Sequence, residues 1–225
     1  MKVGYAILYK DGELVISKNH TVLSKYVFKD YGTFEDTNVP WRNERTEIKT
    51  VRVLNSVKSN CMADWFFKCS NLTTLIDFQN LDVSTCEDFE GTFSGCEQLI
   101  DISTLENLDV SNGEDFSGMF SNCEILTDIN ALQNWNVSNG TGFLEMFSNC
   151  KQLMNLDALE NWDVSNGEDF NGMFCFCEQL RDINGLQNWD VSNGEDFTCM
   201  FTECKNLTNL NSLKNWDVPS DTEFV

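Results

Sequence analysis

The sequence predicts an α/β solenoid: a stack of 27-residue helix–strand units behind an N-terminal β-rich cap. Three observations predict it. Six cysteines recur at one constant interval, at Cys69, Cys96, Cys123, Cys150, Cys177 and Cys204, and a phenylalanine stands a fixed step before each, as Phe66 and Phe93 do. A leucine follows every one of them at an equally fixed step, from Leu72 to Leu207. A tryptophan column (Trp135, Trp162, Trp189, Trp216) replaces Leu81 and Leu108 as the chain proceeds. A fixed period held over six turns is the mark of a stacked repeat, in which each unit buries its apolar face only against its neighbours.

The cap comes first. Residues 1–44 do not repeat, and Asp11-Gly12 separates two apolar runs, Tyr5–Tyr9 and Glu13–Ile16, as a two-residue hairpin does. Residues 45–225 form the solenoid, with a degenerate first turn at 45–54 and about six full repeats. Ile48, Val51 and Leu54 lie one period before Leu75, Phe78 and Leu81. Within a unit such as Glu114–Cys123, the apolar residues Phe116, Met119, Phe120 and Cys123 follow helical spacing. Ser111 and Glu114 have the spacing of a capping box. Leu126–Ile129 reads as a short strand, expected to pair in parallel with its counterparts. Strands about 4.8 Å apart beside helices about 8–10 Å apart imply a stack curved with its strands on the concave side.

These columns resemble the BspA-like leucine-rich repeat of bacterial surface proteins. The matching text is Met119-Phe-Ser-Asn-Cys-Glu-Ile-Leu-Thr-Asp-Ile129 and Trp162-Asp-Val-Ser-Asn166, within a match over about residues 45–225. Tyr5–Val15 and Val39-Pro-Trp41 resemble the entry segment of the same proteins. The unit here is slightly longer, around Asn130-Ala131. The resemblance implies a leucine-rich-repeat fold, a place at the cell surface and adhesion to another protein.

Charge narrows the partners. Residues 1–60 carry ten Lys/Arg and seven Asp/Glu, whereas residues 61–225 carry five and twenty-nine. So acidic a stack repels nucleic acid and favours a basic protein partner. The outward strand positions form the candidate protein-binding face: Asp101, Asp128, Asn130, Asn155, Asp157, Asp182, Asn184 and Asn209. The alternative is a structural or decoration subunit of a virus or phage particle, or of another assembly. In that reading one end docks on another chain, and the tail Pro219–Val225 marks that end. No membrane span is expected, and Val3–Tyr9 is too short for a signal peptide. Cytoplasmic residence therefore stands beside surface or particle association.

Catalytic material is sparse, and no enzyme is expected. The one histidine, His20, lacks a nucleophile motif. The cysteine ladder is read as a buried, inert column rather than a metal or redox array. Cys175 and Cys199 fall on neighbouring expected helices and are a candidate disulfide pair, disfavoured without an oxidising compartment. Cys175-Phe-Cys177 lacks the second ligand pair that zinc needs. The stacked Asp82, Asp109, Asn136, Asp163, Asp190 and Asp217 are read as turn caps, with calcium between turns as the alternative. The tryptophans are read as core. No cofactor or metal is expected.

Overall fold

The computed structural model describes residues 2–218 and Phe224. Its strands, in chain order, are β1 (Lys2–Tyr9), β2 (Glu13–Ser17), β3 (Val27–Glu35), β4 (Thr50–Leu54), β5 (Val57–Lys58), β6 (Thr74–Ile76) and β7 (Leu81–Asp82). Lys10-Asp11-Gly12, three residues rather than the expected two, turn β1 antiparallel onto β2, and Gly12 supplies the left-handed φ of +88°. The main sheet runs β3-β1-β2-β4-β6. Its pairing changes from antiparallel to parallel between β2 and β4, where Leu14 meets Val51 and Ile16 meets Val53. β4 then pairs in parallel with β6, so the sheet carries the N-terminal hairpin directly into the first coils. Trp41 and Trp65 seal this junction. Each indole N–H donates to a backbone carbonyl, Trp41 to Trp65 and Trp65 to Asp36, at 2.7 and 3.0 Å. Glu13 is buried there; burial alone would raise its pKa, but Lys25 and Arg52 hold it below the ordinary carboxylate value.

The repeat is a coil of turns, not a helix–strand pair. Among the described residues there is no α-helix, only short 3-10 turns. The cause is backbone conformation. Asp64, Gly91, Gly118, Glu145, Gly172 and Cys199 have φ between +51° and +59°. The residue one short turn further on is left-handed as well, from Lys68 and Gly95 to Phe176 and Glu203. Two left-handed residues four positions apart in each coil stop an i→i−4 ladder from propagating. The amides are satisfied another way. Met119, Ser121 and Cys123 donate to the carbonyls of Phe116, Gly118 and Phe120, while Phe116, Gly118, Phe120 and Asn122 donate to Gly142, Leu144, Met146 and Ser148 of the next coil. Alternate N–H groups thus close turns and join coils, which satisfies the donors on both sides. The expected capping box is replaced too, because the Ser111 hydroxyl bonds Asp109 rather than the Glu114 amide.

Gly118 has φ +59°, and a Cβ there would make only an ordinary contact, 3.9 Å from Ser121 Cβ. Gly118→Ala should therefore lower unfolding stability by about 1–2 kcal/mol through strain alone. Chemical denaturation measures it; an unchanged midpoint would refute a left-handed requirement at this column.

The expected strands shrink for a related reason. Beyond β6 on this side of the stack, the described extended segments meet through isolated parallel bridges such as Thr74–Asp101 and Asn155–Asp182, because a 3-10 turn begins almost at once. Without helices, the unequal spacing that implied curvature is also missing.

Columns of like side chains make the core. The phenylalanines before the ladder cysteines stack ring on ring from Phe66 to Phe201 at 5.4–5.7 Å. A second column runs from Phe89 to Phe197 at 5.2–5.7 Å. Trp162, Trp189 and Trp216 stack at 6.1–6.5 Å and are buried. Both polar-tipped columns reach back one coil. The Trp162 indole donates to Leu132 O at 2.9 Å, and the Cys150 thiol donates to Phe120 O at 3.3 Å. The same two contacts recur in the following coil, at Trp189 and Cys177. At the far end, the Phe224 carbonyl accepts from the Phe201 N–H, and its ring packs on Phe197, Phe201 and Trp216. The rest of the proposed docking tail, 219–223 and Val225, lies outside the described residues.

Candidate binding face

Each coil enters its 3-10 turn through an Asp or Asn, and this sets the chemistry of the strand-side face. The Oδ1 atoms of Asp101, Asp128, Asn155, Asp182 and Asn209 accept the N–H of the residue two positions on, at 2.7–3.2 Å. These side chains are turn formers that the hydrophobic columns on either side carry to the surface. All eight residues named from the sequence are exposed. For Asp101 the Ser103 bonds hold the carboxyl below its ordinary pKa, so it stays charged.

Not all eight come together. A shallow groove of about 240 Å³ lies between Ile100 and Gln133, with Asp101, Asp128 and Asn130 on its walls. A second, of about 360 Å³, continues from Asp128 and Asn130 to Met154, Asn155 and Asp157. Asp182, Asn184 and Asn209 line neither groove. Asn184 is engaged locally, donating to Asp182 Oδ2 and accepting from Ser212 Oγ. Sequence reading missed Ile100 and Met154, which are 53% and 47% exposed at the groove edges. The signal was available: their column otherwise holds Thr73, Thr127, Arg181 and Thr208.

The remaining candidates have structural occupations. Oδ1 of Asp82, Asp109, Asp163 and Asp190 accepts the amide of the serine two residues on, as does Asn136. Among the described residues, no group of three His, Cys, Asp or Glu side chains is placed to hold a metal ion. Every cysteine is a free thiol, and burial drives the ladder thiols far up in pKa. Cys175 is half-buried and Cys199 exposed. His20 meets Asp30, at 2.6 Å on the surface, and the Tyr5 ring. No described helix is long and apolar enough to cross a membrane.

Residues 25–157, 59–182 and 127–224 each match a family model described as "Mycoplasma protein of unknown function, DUF285". Overlapping matches are what a tandem repeat produces. Among solved structures the chain is similar to the "Crystal structure of T. pallidum Leucine Rich Repeat protein (TpLRR)". That likeness has 15% identity, covers 99% of this chain and 95% of the other, and has a TM-score of 0.46. No curated protein matches.

Proposed function

This chain belongs to the DUF285 family, and we propose that it is a non-enzymatic repeat protein that binds a basic protein partner in an adhesion-type role at a surface. Residues 1–44 act as the cap and 45–225 as the binding stack. One observation carries the reading: the two adjoining grooves bring Asp101, Asp128 and Asp157 together with exposed apolar Ile100 and Met154 on one face. Carboxylates steer a cationic partner, and apolar side chains beside them supply contact area that charge alone does not.

The test is charge reversal at the three groove carboxylates, Asp101→Lys, Asp128→Lys and Asp157→Lys together. Binding of a fluorescent lysine-rich peptide should weaken at least tenfold while circular dichroism shows the stack still folded, the lost turn bonds at Asp101 and Asp128 lowering only its melting temperature. Reversing Glu87, Glu114 and Glu168, which are exposed and outside the grooves, is the control. Equal loss in both variants would mean that only net charge matters, and the face would lose its claim.

A further inference from the structure

Ile100 and Met154 occupy the same position of their coils, two coils apart. Parallel bridges on this side flank the stretch, Thr74–Asp101 before it and Asn155–Asp182 after it, and the 3-10 turns of the coils between pack side by side. At about 4.8 Å per strand, the two apolar side chains stand about 10 Å apart along the stack. Thr127 separates them, and Asp128 and Asn130 belong to both grooves. Within the described residues, the Asp128 carboxylate takes one hydrogen bond, at Oδ1 from the Asn130 N–H. A ligand lying along the stack therefore meets apolar, acidic, apolar in a repeat set by two strand spacings.

That repeat discriminates among backbone conformations. An extended strand returns a side chain to one face about every 6.6 Å, or about 13 Å for alternate ones, and misses one of the two contacts. An α-helix has an i, i+7 spacing of about 10.5 Å, but its intervening turn would press on Thr127, and its diameter of about 10–12 Å is too wide for shallow grooves. A polyproline II segment rises about 3.1 Å per residue and returns every third residue to the same face, about 9.3 Å on. Its backbone groups are all free, and Asn130, Asn155 and Asp157 along the second groove can bond them.

We propose, resting on the reading of this face as a basic-partner site, that its occupant is a proline-rich basic segment in the polyproline II conformation. It places an apolar residue at every third position over Ile100 and Met154, with a Lys or Arg between them on Asp128. Such a segment is already ordered when free, so little conformational entropy is lost on docking.

Three synthetic peptides of equal length and lysine content test this against the full chain by fluorescence anisotropy. One is proline-rich with leucine every third residue. One is a Val/Thr-rich strand former with leucine every second residue. One is an alanine-based helix with leucine every seventh. The proline-rich peptide should bind at least tenfold tighter than the others. The neutral variants Ile100→Ser and Met154→Ser should each remove most of that advantage, while circular dichroism shows the fold intact. If the strand or helix peptide binds as tightly, the conformational proposal is overturned and the acidic face stands. If all three bind alike and none responds to the triple Asp→Lys change, both ideas fall.

Discussion

Phe147→Ala is expected to cost about 3–5 kcal/mol, a large share of the stability of a chain this size. The ring is fully buried and sandwiched between Phe120 and Phe174, at 5.6 and 5.7 Å. Neither neighbour can move into the vacancy, since each is stacked on a further ring, Phe93 below and Phe201 above. Backbone and side chain share one inter-coil seam here: Phe147 O accepts from the thiol of Cys177. Stability in a stack is the sum of neighbour interfaces, and this change weakens two of them at once. Denaturant unfolding followed by tryptophan fluorescence measures the loss. A cost under about 1 kcal/mol, well below the roughly 2 kcal/mol of the mildest usual truncation to alanine, would show that the coils repack freely and that the phenylalanine column is not a rigid spine.

High pH is expected to unfold the protein abruptly. Burial pushes the Cys69 and Cys204 thiols up to about 12, and it pushes Cys96, Cys123, Cys150 and Cys177 well above their ordinary 9.0. The folded chain therefore keeps protons that the unfolded chain gives up. Above the unfolded pKa near 9, stability falls as pH rises, and the loss continues until the folded pKa is reached. Below pH 8 the ladder contributes no slope. Each thiol contributes about 1.4 kcal/mol per pH unit, so the six together reach roughly 8 kcal/mol per unit. Against a typical stability of about 5–15 kcal/mol, the fold should disappear within about two units above pH 9. Denaturation midpoints at pH 8.0, 9.5 and 10.5, with thiolate absorbance recorded alongside, give the slope. Cys123→Ser should flatten it by about one sixth. A midpoint that stays level to pH 10.5 would mean that the thiols ionise within the folded stack.

The two experiments probe the same seam from different directions, because each ladder thiol bonds the backbone carbonyl of a column phenylalanine one coil back. A cysteine suits that position: it is small enough for a narrow column, and its weak donor finds a carbonyl one coil back, as Cys96 finds Phe66. Serine would meet the same carbonyl with a stronger bond and less apolar surface. The tryptophan column repeats the device with a larger side chain, as Trp135 donating to Leu105 O shows.

The stack, its period, the burial of the Phe, Cys, Leu and Trp columns, and the hairpin at Asp11-Gly12 were all legible in the amino-acid order. Periodic hydrophobic burial is written one residue at a time, so a single chain discloses it. The turn-capping role of Asp82, Asp109, Asn136, Asp163 and Asp190 was equally local, since an Asx side chain bonds an amide two residues away. The rest was settled by how the coils meet. The spacing of Phe116, Met119, Phe120 and Cys123 fits a helix, yet those residues lie in turns, because their alternate amides find carbonyls in the next coil. No local pattern weighs that competition, and Glu145 and Phe176 give no hint of the left-handed backbone they adopt. The grooves depended on it as well. Ile100 and Met154 lie two repeats apart in the chain, and they come to edge one continuous face only because stacking turns a long separation in sequence into two strand spacings in space.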